Sequence, residues 1–165
     1  MPVDQQSGLL FSDAFTSRLT VAASDIDAFS HVNNAVYLKW MNDCAMEHSA
    51  SVGLPAEACV DLDRGMAVRE TRLVYQRPAR LGDGVIIANW VTFNDGRLRA
   101  NRYFQVARAS DHQTLLLGAS KYVCIALSSG KPTRMPDVFA KAYQVEPGLQ
   151  RRLVADAGLR AELVI

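Results

Sequence analysis

The stretch SDIDAFSHVNNAVYLKW, residues 24–40, runs from a polar loop into a predicted helix. From residue 35 to about residue 52, apolar and small side chains recur at spacings of three and four residues, as in an amphipathic helix. The side chains of this stripe are Tyr37, Trp40, Met41, Cys44, Ala45 and His48. Asn33 or Asn34 can cap the helix, and Gly53 can end it. One long helix with such a stripe needs a broad surface to cover it.

The remainder of the chain predicts strands separated by tight turns. A first strand covers residues 14–22, and four strand-like segments follow the helix at 67–79, 85–93, 97–109 and 114–127. The turns LGDG at 81–84, NDG at 94–96 and SDHQ at 110–113 are short, and short connections join antiparallel neighbours. Pro78 cannot donate a ladder hydrogen bond, which predicts a bulge or a sheet edge there. We therefore predict an α+β fold, an antiparallel sheet of about five strands wrapped round the long helix.

The chain shows no repeat and no linker, which predicts a single domain over residues 1–165. Its core would cover about 14–132, and a helical extension about 136–165, including the amphipathic segment at 151–163. The 165 residues carry 18 basic and 17 acidic side chains, a formal net charge of +1. Such a balance creates no global field for nucleic acid or an anionic membrane.

Cysteine usage and the N-terminus bear on the compartment. Cys44, Cys59 and Cys124 lack the close pairing of a metal or redox motif. Cys44 and Cys124 fall in predicted regular elements, where a buried, small hydrophobic role is expected. No leader and no apolar run of membrane-spanning length is present, which predicts a soluble, cytoplasmic protein with no membrane contact.

The blocks DID at 25–27 and HVNN at 31–34, with Tyr37 and Trp40, resemble the hot-dog thioesterases. The resemblance is to acyl-CoA thioesterases similar to 4-hydroxybenzoyl-CoA thioesterase, and also to the plant acyl-ACP thioesterases. It extends more loosely through residues 73–83 and 114–132. It implies a hot-dog domain that hydrolyses acyl-CoA thioesters as a homodimer or homotetramer, with sites between protomers. A carrier-protein thioester is the alternative substrate that it implies.

The resemblance also implies roles for particular residues. It places the catalytic carboxylate on Asp27, the second aspartate of the pair. The plant pattern would add an asparagine and a histidine, which fall on Phe29 and His31, so Phe29 departs from it. Ser30 stands where many bacterial members have glycine, and Pro78 where the plant pattern has an acidic residue. The aspartate mechanism of the bacterial enzymes therefore fits this sequence better than the plant mechanism.

Elementary chemistry agrees with that choice. The oxygen of a thioester carbonyl gains negative charge as it reacts, and unpaired N–H groups at a helix start can stabilise that charge by donating hydrogen bonds to it. Val32, Asn33 and Asn34 are the predicted donors. Asp27 could attack the carbonyl or activate water, and His31 could orient the carboxylate or move a proton. The competing interpretation is structural, in which the acidic and amide side chains of this loop only stabilise the helix start.

Other residues are predicted to contact the substrate. Phe29 and Tyr37 would line its site, and Arg77, Arg80 and Arg99 would bind the phosphates of coenzyme A, although arginines along a strand also suit a solvated face. The histidines lack metal-ligand spacing, and neither a nucleophile elbow nor a phosphate loop is present. We therefore predict a reaction that needs no metal and no cofactor.

Two other classes of function remain open at this point. A hot-dog dehydratase or isomerase acting on an acyl thioester would use the same helix start together with a histidine, and His31 is compatible with it. A non-catalytic protein that binds acyl thioesters would keep the fold without turnover. The Gly/Pro-rich loop that typically follows the histidine of such dehydratases is absent, and the intact Asp27 counts against a non-catalytic protein.

Overall fold

The long helix and the strands occur where the sequence predicts them, with bounds shifted by a few residues. The computed structural model describes residues 8–11, 13–145 and 151. Its elements in chain order are β1 Phe15–Thr20, α1 Asn34–Ser51, α2 Ala56–Asp61, β2 Gly65–Tyr75, β3 Gly84–Asn94, β4 Arg99–Arg108, β5 Thr114–Ile125 and α3 Asp137–Ala142. A 3-10 turn at Ala23–Asp25 precedes α1.

The five strands form one sheet with the order β1-β3-β4-β5-β2. β1 pairs antiparallel with β3, so that Phe15 lies opposite Asn89 and Thr20 opposite Gly84. The predicted α+β architecture, a five-stranded antiparallel sheet with a long helix packed against it, is confirmed. β2 is an edge strand, and it ends at Tyr75, shortly before Pro78.

The described residues fall into two compact units. The first contains the residues up to Ala45 together with Leu73–Trp90 and Phe104–Gly118. Its core joins one face of α1 to β3, β4 and β5, and includes Tyr37, Trp40, Met41, Cys44, Ile87, Phe104, Val106, Leu115 and Leu116. Gly118 allows this close packing, because a Cβ built on it would lie 2.7 Å from the Met41 methyl group. The predicted helix stripe is therefore buried from Tyr37 to Ala45.

The second unit contains Met46–Arg72, Val91–Tyr103 and the described residues from Ala119 onward. Its core consists of Leu54, Val91, Ala100, Cys124, Met135, Phe139 and Tyr143. The Asn94 amide donates to the Tyr143 carbonyl at 2.9 Å, which fixes the end of α3. The predicted C-terminal helical extension is confirmed at α3, whereas the predicted amphipathic segment at 151–163 lies outside the described residues apart from Arg151.

The sequence pattern does not predict helix α2. It spans only Ala56–Asp61, has no buried residue, and begins after Pro55. A helix this short with no apolar stripe has no periodic signal to detect. Cys44 and Cys124 are buried and unbridged, as predicted, and the Cys44 thiol donates to the Ile87 carbonyl across 3.6 Å.

Candidate active site

The polar loop before α1 is a small closed hairpin within the first unit. Its two sides meet at a bridge between Ile26 and Val32. The Asp27 N–H donates to the His31 carbonyl at 2.8 Å, and the Ser30 N–H donates to the Asp27 carbonyl at 3.1 Å. Ser30 closes the turn with φ of 60°, a left-handed conformation that costs a residue with a Cβ more than it costs glycine. The hairpin therefore sets the backbone at Asp27 independently of any ligand.

The Asp27 carboxylate is held by main-chain donors of this hairpin. Its Oδ1 accepts the Phe29 N–H at 2.8 Å and, more weakly, the His31 N–H at 3.4 Å. Within the part of the chain that the structure describes, its Oδ2 has no hydrogen-bond donor, and the side chain is half-buried. One carboxylate oxygen is thus anchored while the other is available to a ligand.

Asp25 has a different position from Asp27. Its Oδ2 accepts the Ala22 N–H at 2.9 Å, and its carbonyl accepts the Asn33 N–H at 2.9 Å. Both contacts fold the chain ahead of α1. The predicted structural interpretation therefore suits Asp25, whose contacts are local.

The helix start presents fewer unpaired donors than the sequence suggests. The Val32 N–H donates to the Ala79 carbonyl at 3.0 Å, and the Asn33 N–H is taken by Asp25. The Asn33 Oδ1 caps the helix by accepting the Ala35 N–H at 2.9 Å. Among the described residues, Asn34 alone of the three predicted donors has an N–H without a partner. Of the three predicted oxyanion donors, Asn34 is thus the one whose N–H is available to a ligand, and the oxyanion site itself stays a prediction.

Tyr37 connects α1 to the loop between β2 and β3. Its hydroxyl, buried in the core, accepts the Ala79 N–H at 2.9 Å, and burial raises the pKa of this phenol. The ring makes edge contacts with Trp40 at 5.1 Å and with Tyr75 at 5.6 Å between centroids. The Tyr75 hydroxyl donates to the Asn34 carbonyl at 2.9 Å. Tyr37 and Tyr75 therefore fix the first turn of α1, whereas a contact of Tyr37 with substrate stays a prediction.

Hydrogen bonds from Arg108, which the sequence pattern did not predict, hold the loop between β2 and β3 in place. Arg108 Nη2 donates to the Pro78 carbonyl at 2.9 Å, and its Nε donates to Asp83 Oδ2 at 3.1 Å. Its Nη1 donates to Asp111 at 2.8 Å. The signal in the sequence was an arginine at a strand end with an aspartate in each neighbouring turn. Because Ala79 follows Pro78 directly, this network positions the carbonyl that takes the Val32 N–H.

The other predicted site residues lie at the surface. Phe29 is 82% exposed at the tip of the hairpin, and the side chain of His31, four residues after Asp27, is half-buried. Arg77 and Arg80 are exposed on the two flanks of Ala79. Arg99 is exposed in the second unit, where it lines a cavity. The structure thus brings Asp27, His31, Asn34, Arg77 and Arg80 into the first unit.

His48, on the predicted helix stripe, lies in the second unit and is half-buried. Arg102 Nη1 donates to its Nδ1 at 2.6 Å, and Arg102 Nη2 donates to Ser49 Oγ at 3.2 Å. The Arg102 guanidinium also lies 5.2 Å from the centre of the Tyr143 ring. His48 is therefore a half-buried histidine satisfied by hydrogen bonds, as expected from its position on the stripe.

The described residues form neither a metal site nor a membrane-spanning helix. No group of His, Cys, Asp and Glu side chains there has the arrangement of a metal site. None of the helices in this part of the chain has the length and apolar character needed to cross a membrane.

Comparison with known proteins identifies the family. The model of the thioesterase-like superfamily matches residues 21–143, which is most of the chain and includes the hairpin and α1. The chain belongs to the thioesterase-like superfamily. The predicted class, a thioester hydrolase of the hot-dog thioesterases, is thereby confirmed at the level of the family. Among curated proteins, none matches this superfamily member.

Solved structures share the fold of this superfamily member at low sequence identity. Slr0204, a 1,4-dihydroxy-2-naphthoyl-CoA thioesterase from Synechocystis, is 21% identical with a TM-score of 0.71, over 79% of this chain and 95% of its own. SAV2348 from Staphylococcus aureus, solved in complex with CoA, is 19% identical with a TM-score of 0.73, over 79% and 81%. A DHNA-CoA thioesterase from Staphylococcus aureus is 16% identical with a TM-score of 0.72, over 79% and 88%.

Proposed function

We propose that this protein hydrolyses acyl-CoA thioesters to a free acid and coenzyme A, with Asp27 as the reacting carboxylate. The proposal rests on the Asp27 carboxylate, in which Oδ1 is held by main-chain hydrogen bonds and Oδ2 is available. The hairpin that carries Asp27 precedes α1, whose first residue, Asn34, has an unpaired N–H. Membership of the thioesterase-like superfamily supports thioester hydrolysis in general. The CoA-bound SAV2348 and the two CoA thioesterases above support CoA as the thiol.

The proposed reaction assigns one task to each group. The Asn34 N–H, at the positive end of α1, donates to the carbonyl oxygen as negative charge develops on it. Asp27 Oδ2 then either attacks the carbonyl carbon or takes a proton from an attacking water. In the first route the C–S bond breaks to release thiolate, and water later cleaves the acyl-aspartyl anhydride. In the second route the water oxygen bonds to the carbonyl carbon directly, the C–S bond breaks to release thiolate, and the proton held by Asp27 passes to the thiolate.

Neighbouring residues have supporting roles in this proposal. His31 moves a proton to the leaving thiolate or the attacking water, since its half-buried imidazole follows Asp27 closely in the chain. Arg77 and Arg80 bind CoA phosphates, which their exposed positions beside Ala79 allow. The exposed ring of Phe29 contacts the acyl group or a partner protomer.

The functional unit in this proposal is a homo-oligomer in the cytoplasm. β2 offers support, because it is an eleven-residue strand at the edge of the sheet, and an exposed edge is a template for pairing with a second copy. The unbridged thiols of Cys44, Cys59 and Cys124 agree with a reducing compartment.

The decisive experiment compares the protein with its Asp27→Asn variant on aliphatic, aromatic and hydroxyacyl-CoA esters. Free thiol and acyl products are followed by mass. We expect Asp27→Asn to lower kcat by at least about a hundredfold, because the amide can neither attack nor accept a proton at the required rate. Asp43→Asn is the matched control, since Asp43 is an exposed carboxylate on α1 and its loss changes the charge equally.

The outcomes separate the competing functions. Equal hydrolysis by the protein and Asp27→Asn would refute the assignment of Asp27. Dehydration or isomerisation without thiol release would indicate the other enzyme class, and tight binding without turnover would indicate a binding protein. Faster turnover of acyl-carrier-protein substrates than of CoA esters would change the substrate but keep the chemistry. A single turnover in H2(18)O tests the anhydride route, because label appears in the Asp27 carboxylate only if an anhydride forms and water cleaves it at the aspartyl carbon.

A further inference from the structure

The second unit contains a cavity that is lined by none of the residues assigned to the proposed hydrolysis. Its volume is about 440 Å³, which lies within the range of small-molecule sites, roughly 300–1,000 Å³. β2, β4 and β5 contribute a cation each, namely Arg69, Arg99 and Lys121. Leu98, Val123 and Pro132 supply apolar surface between them. The cavity therefore combines positive charge with an apolar area.

The charge of Lys121 is compensated within the cavity. Its Nζ lies 3.2 Å from Glu70 Oε2, and the other oxygen of Glu70 accepts from Arg72 Nε at 2.7 Å. Arg72 and Lys121 together hold the pKa of the Glu70 carboxyl below its usual value. Glu70 is therefore ionised at neutral pH and offsets one positive charge at this end of the cavity.

The charges of the two arginines are not offset in this way. Arg69 is exposed and has no acidic partner among the described residues. Arg99 reaches Asp95 only at 3.8 Å, and Oδ1 of that carboxylate already accepts N–H groups of the β3–β4 turn, including that of Leu98 at 2.7 Å. Two guanidinium groups with free donors thus border the apolar area.

We propose that this cavity binds a phosphorylated nucleoside. Guanidinium groups match the geometry of phosphate oxygens and stack on planar rings, and two of them suit a dianionic group. Leu98, Val123 and Pro132 form an apolar surface that a nucleobase could cover. Free phosphate has no group that would cover this surface. The nucleotide end of coenzyme A and a free nucleotide have this chemistry in common. The proposal does not depend on Asp27 or on turnover.

Titration calorimetry of the full chain with adenosine 3′,5′-bisphosphate tests the proposal at low ionic strength. We expect Arg69→Gln and Arg99→Gln each to raise Kd by about tenfold or more, as for loss of a charge-assisted hydrogen bond. Glu70→Gln should lower Kd, because it leaves Lys121 uncompensated. Arg18→Gln removes the same charge from an exposed position on β1 and should leave Kd unchanged within about twofold. Unchanged melting temperatures show that the variants are folded.

Each result decides for or against the site. Absence of saturable binding, or an equal loss of affinity in Arg18→Gln, would overturn the proposal. If inorganic phosphate bound as tightly as the bisphosphate, the cavity would recognise phosphate alone, and the proposed recognition of a nucleoside would be wrong. Displacement of the bisphosphate by coenzyme A assigns the site to the nucleotide end of the substrate, and no displacement assigns it to a free nucleotide. Asp27→Asn should bind the probe normally, so loss of hydrolysis and loss of this site are separate observations.

Discussion

His31 is the residue whose backbone and side chain have separate tasks in the hairpin. Its N–H and carbonyl close the turn onto Asp27, at 3.4 Å to the carboxylate and 2.8 Å from the Asp27 N–H. These contacts survive any substitution other than proline, because they involve only the main chain. The imidazole is therefore free to serve proton transfer without carrying the local structure.

We predict that His31→Ala lowers kcat by about tenfold to a hundredfold while it changes the free energy of unfolding by less than about 0.5 kcal/mol. Steady-state kinetics on an acyl-CoA ester and urea unfolding measure the two effects. His31→Gln, which keeps a polar side chain without a titrating ring, should be as slow as His31→Ala. An unchanged kcat in His31→Ala would exclude the His31 side chain from the proposed reaction.

At the scale of elements, the start of α1 is bound to the β2–β3 loop by two opposed hydrogen bonds. The Ala79 N–H donates to the Tyr37 hydroxyl, and the Ala79 carbonyl accepts the Val32 N–H. Arg108 anchors the same loop at Pro78 and Asp83. The loop and the helix start therefore form one rigid corner, and the unpaired Asn34 N–H is held within it.

We predict that Tyr37→Phe destabilises the protein by about 1–3 kcal/mol, because it leaves the fully buried Ala79 N–H without an acceptor. Urea unfolding measures this change. Tyr75→Phe is the matched control, since its hydroxyl is part-exposed and water can replace its bond to the Asn34 carbonyl. The Tyr75 variant should lose less than about 1 kcal/mol, and equal losses would contradict the assignment.

The raised pKa of Tyr37 adds a pH dependence to this comparison. Burial keeps the native phenol neutral above the pH at which an unfolded tyrosine ionises, about 10. The stability that the phenol contributes is complete below that pH and is lost as the pH rises toward the native pKa. The difference between the protein and Tyr37→Phe should therefore shrink above about pH 10.

At the scale of the whole molecule, the sheet has two edges of unequal kind. β1 is short, with six residues, whereas β2 has eleven residues and carries the half-exposed Val68. A long edge strand with an apolar side chain at its surface favours pairing with another copy of the chain.

We predict that light scattering gives at least twice the mass of one chain, and that Val68→Lys shifts the mass toward the monomer. A lysine on an edge strand opposes pairing, because its charge would have to be buried against the second copy. Met46→Lys, at a similarly exposed position on α1, should leave the mass unchanged. A monomeric wild-type protein would remove the homo-oligomer from the proposed function.

The sequence predicted the helix and strand positions, because these depend on local periodicity and on the residues of the turns. The stripe from Tyr37 to Ala45 and the turn NDG at 94–96 placed α1 and the β3–β4 connection within a few residues. It could not show which N–H groups of the helix start are already taken, because the acceptor for Val32 is Ala79, far along the chain. The Arg108 network and the cavity beside Arg69 could not be predicted for the same reason, since each brings together residues that are far apart in the chain.

The bonds to Asp27 Oδ1 come from the peptide groups of residues 29 and 31, and side chains do not enter them. Every residue except proline has such a donor, so the orientation of the carboxylate is insensitive to which side chains occupy these two positions. Phe29 in place of a catalytic-type asparagine is then no obstacle to the aspartate chemistry. Under the proposed function, substitutions at the hairpin tip would change the surface offered to the acyl group while Asp27 Oδ2 keeps its position.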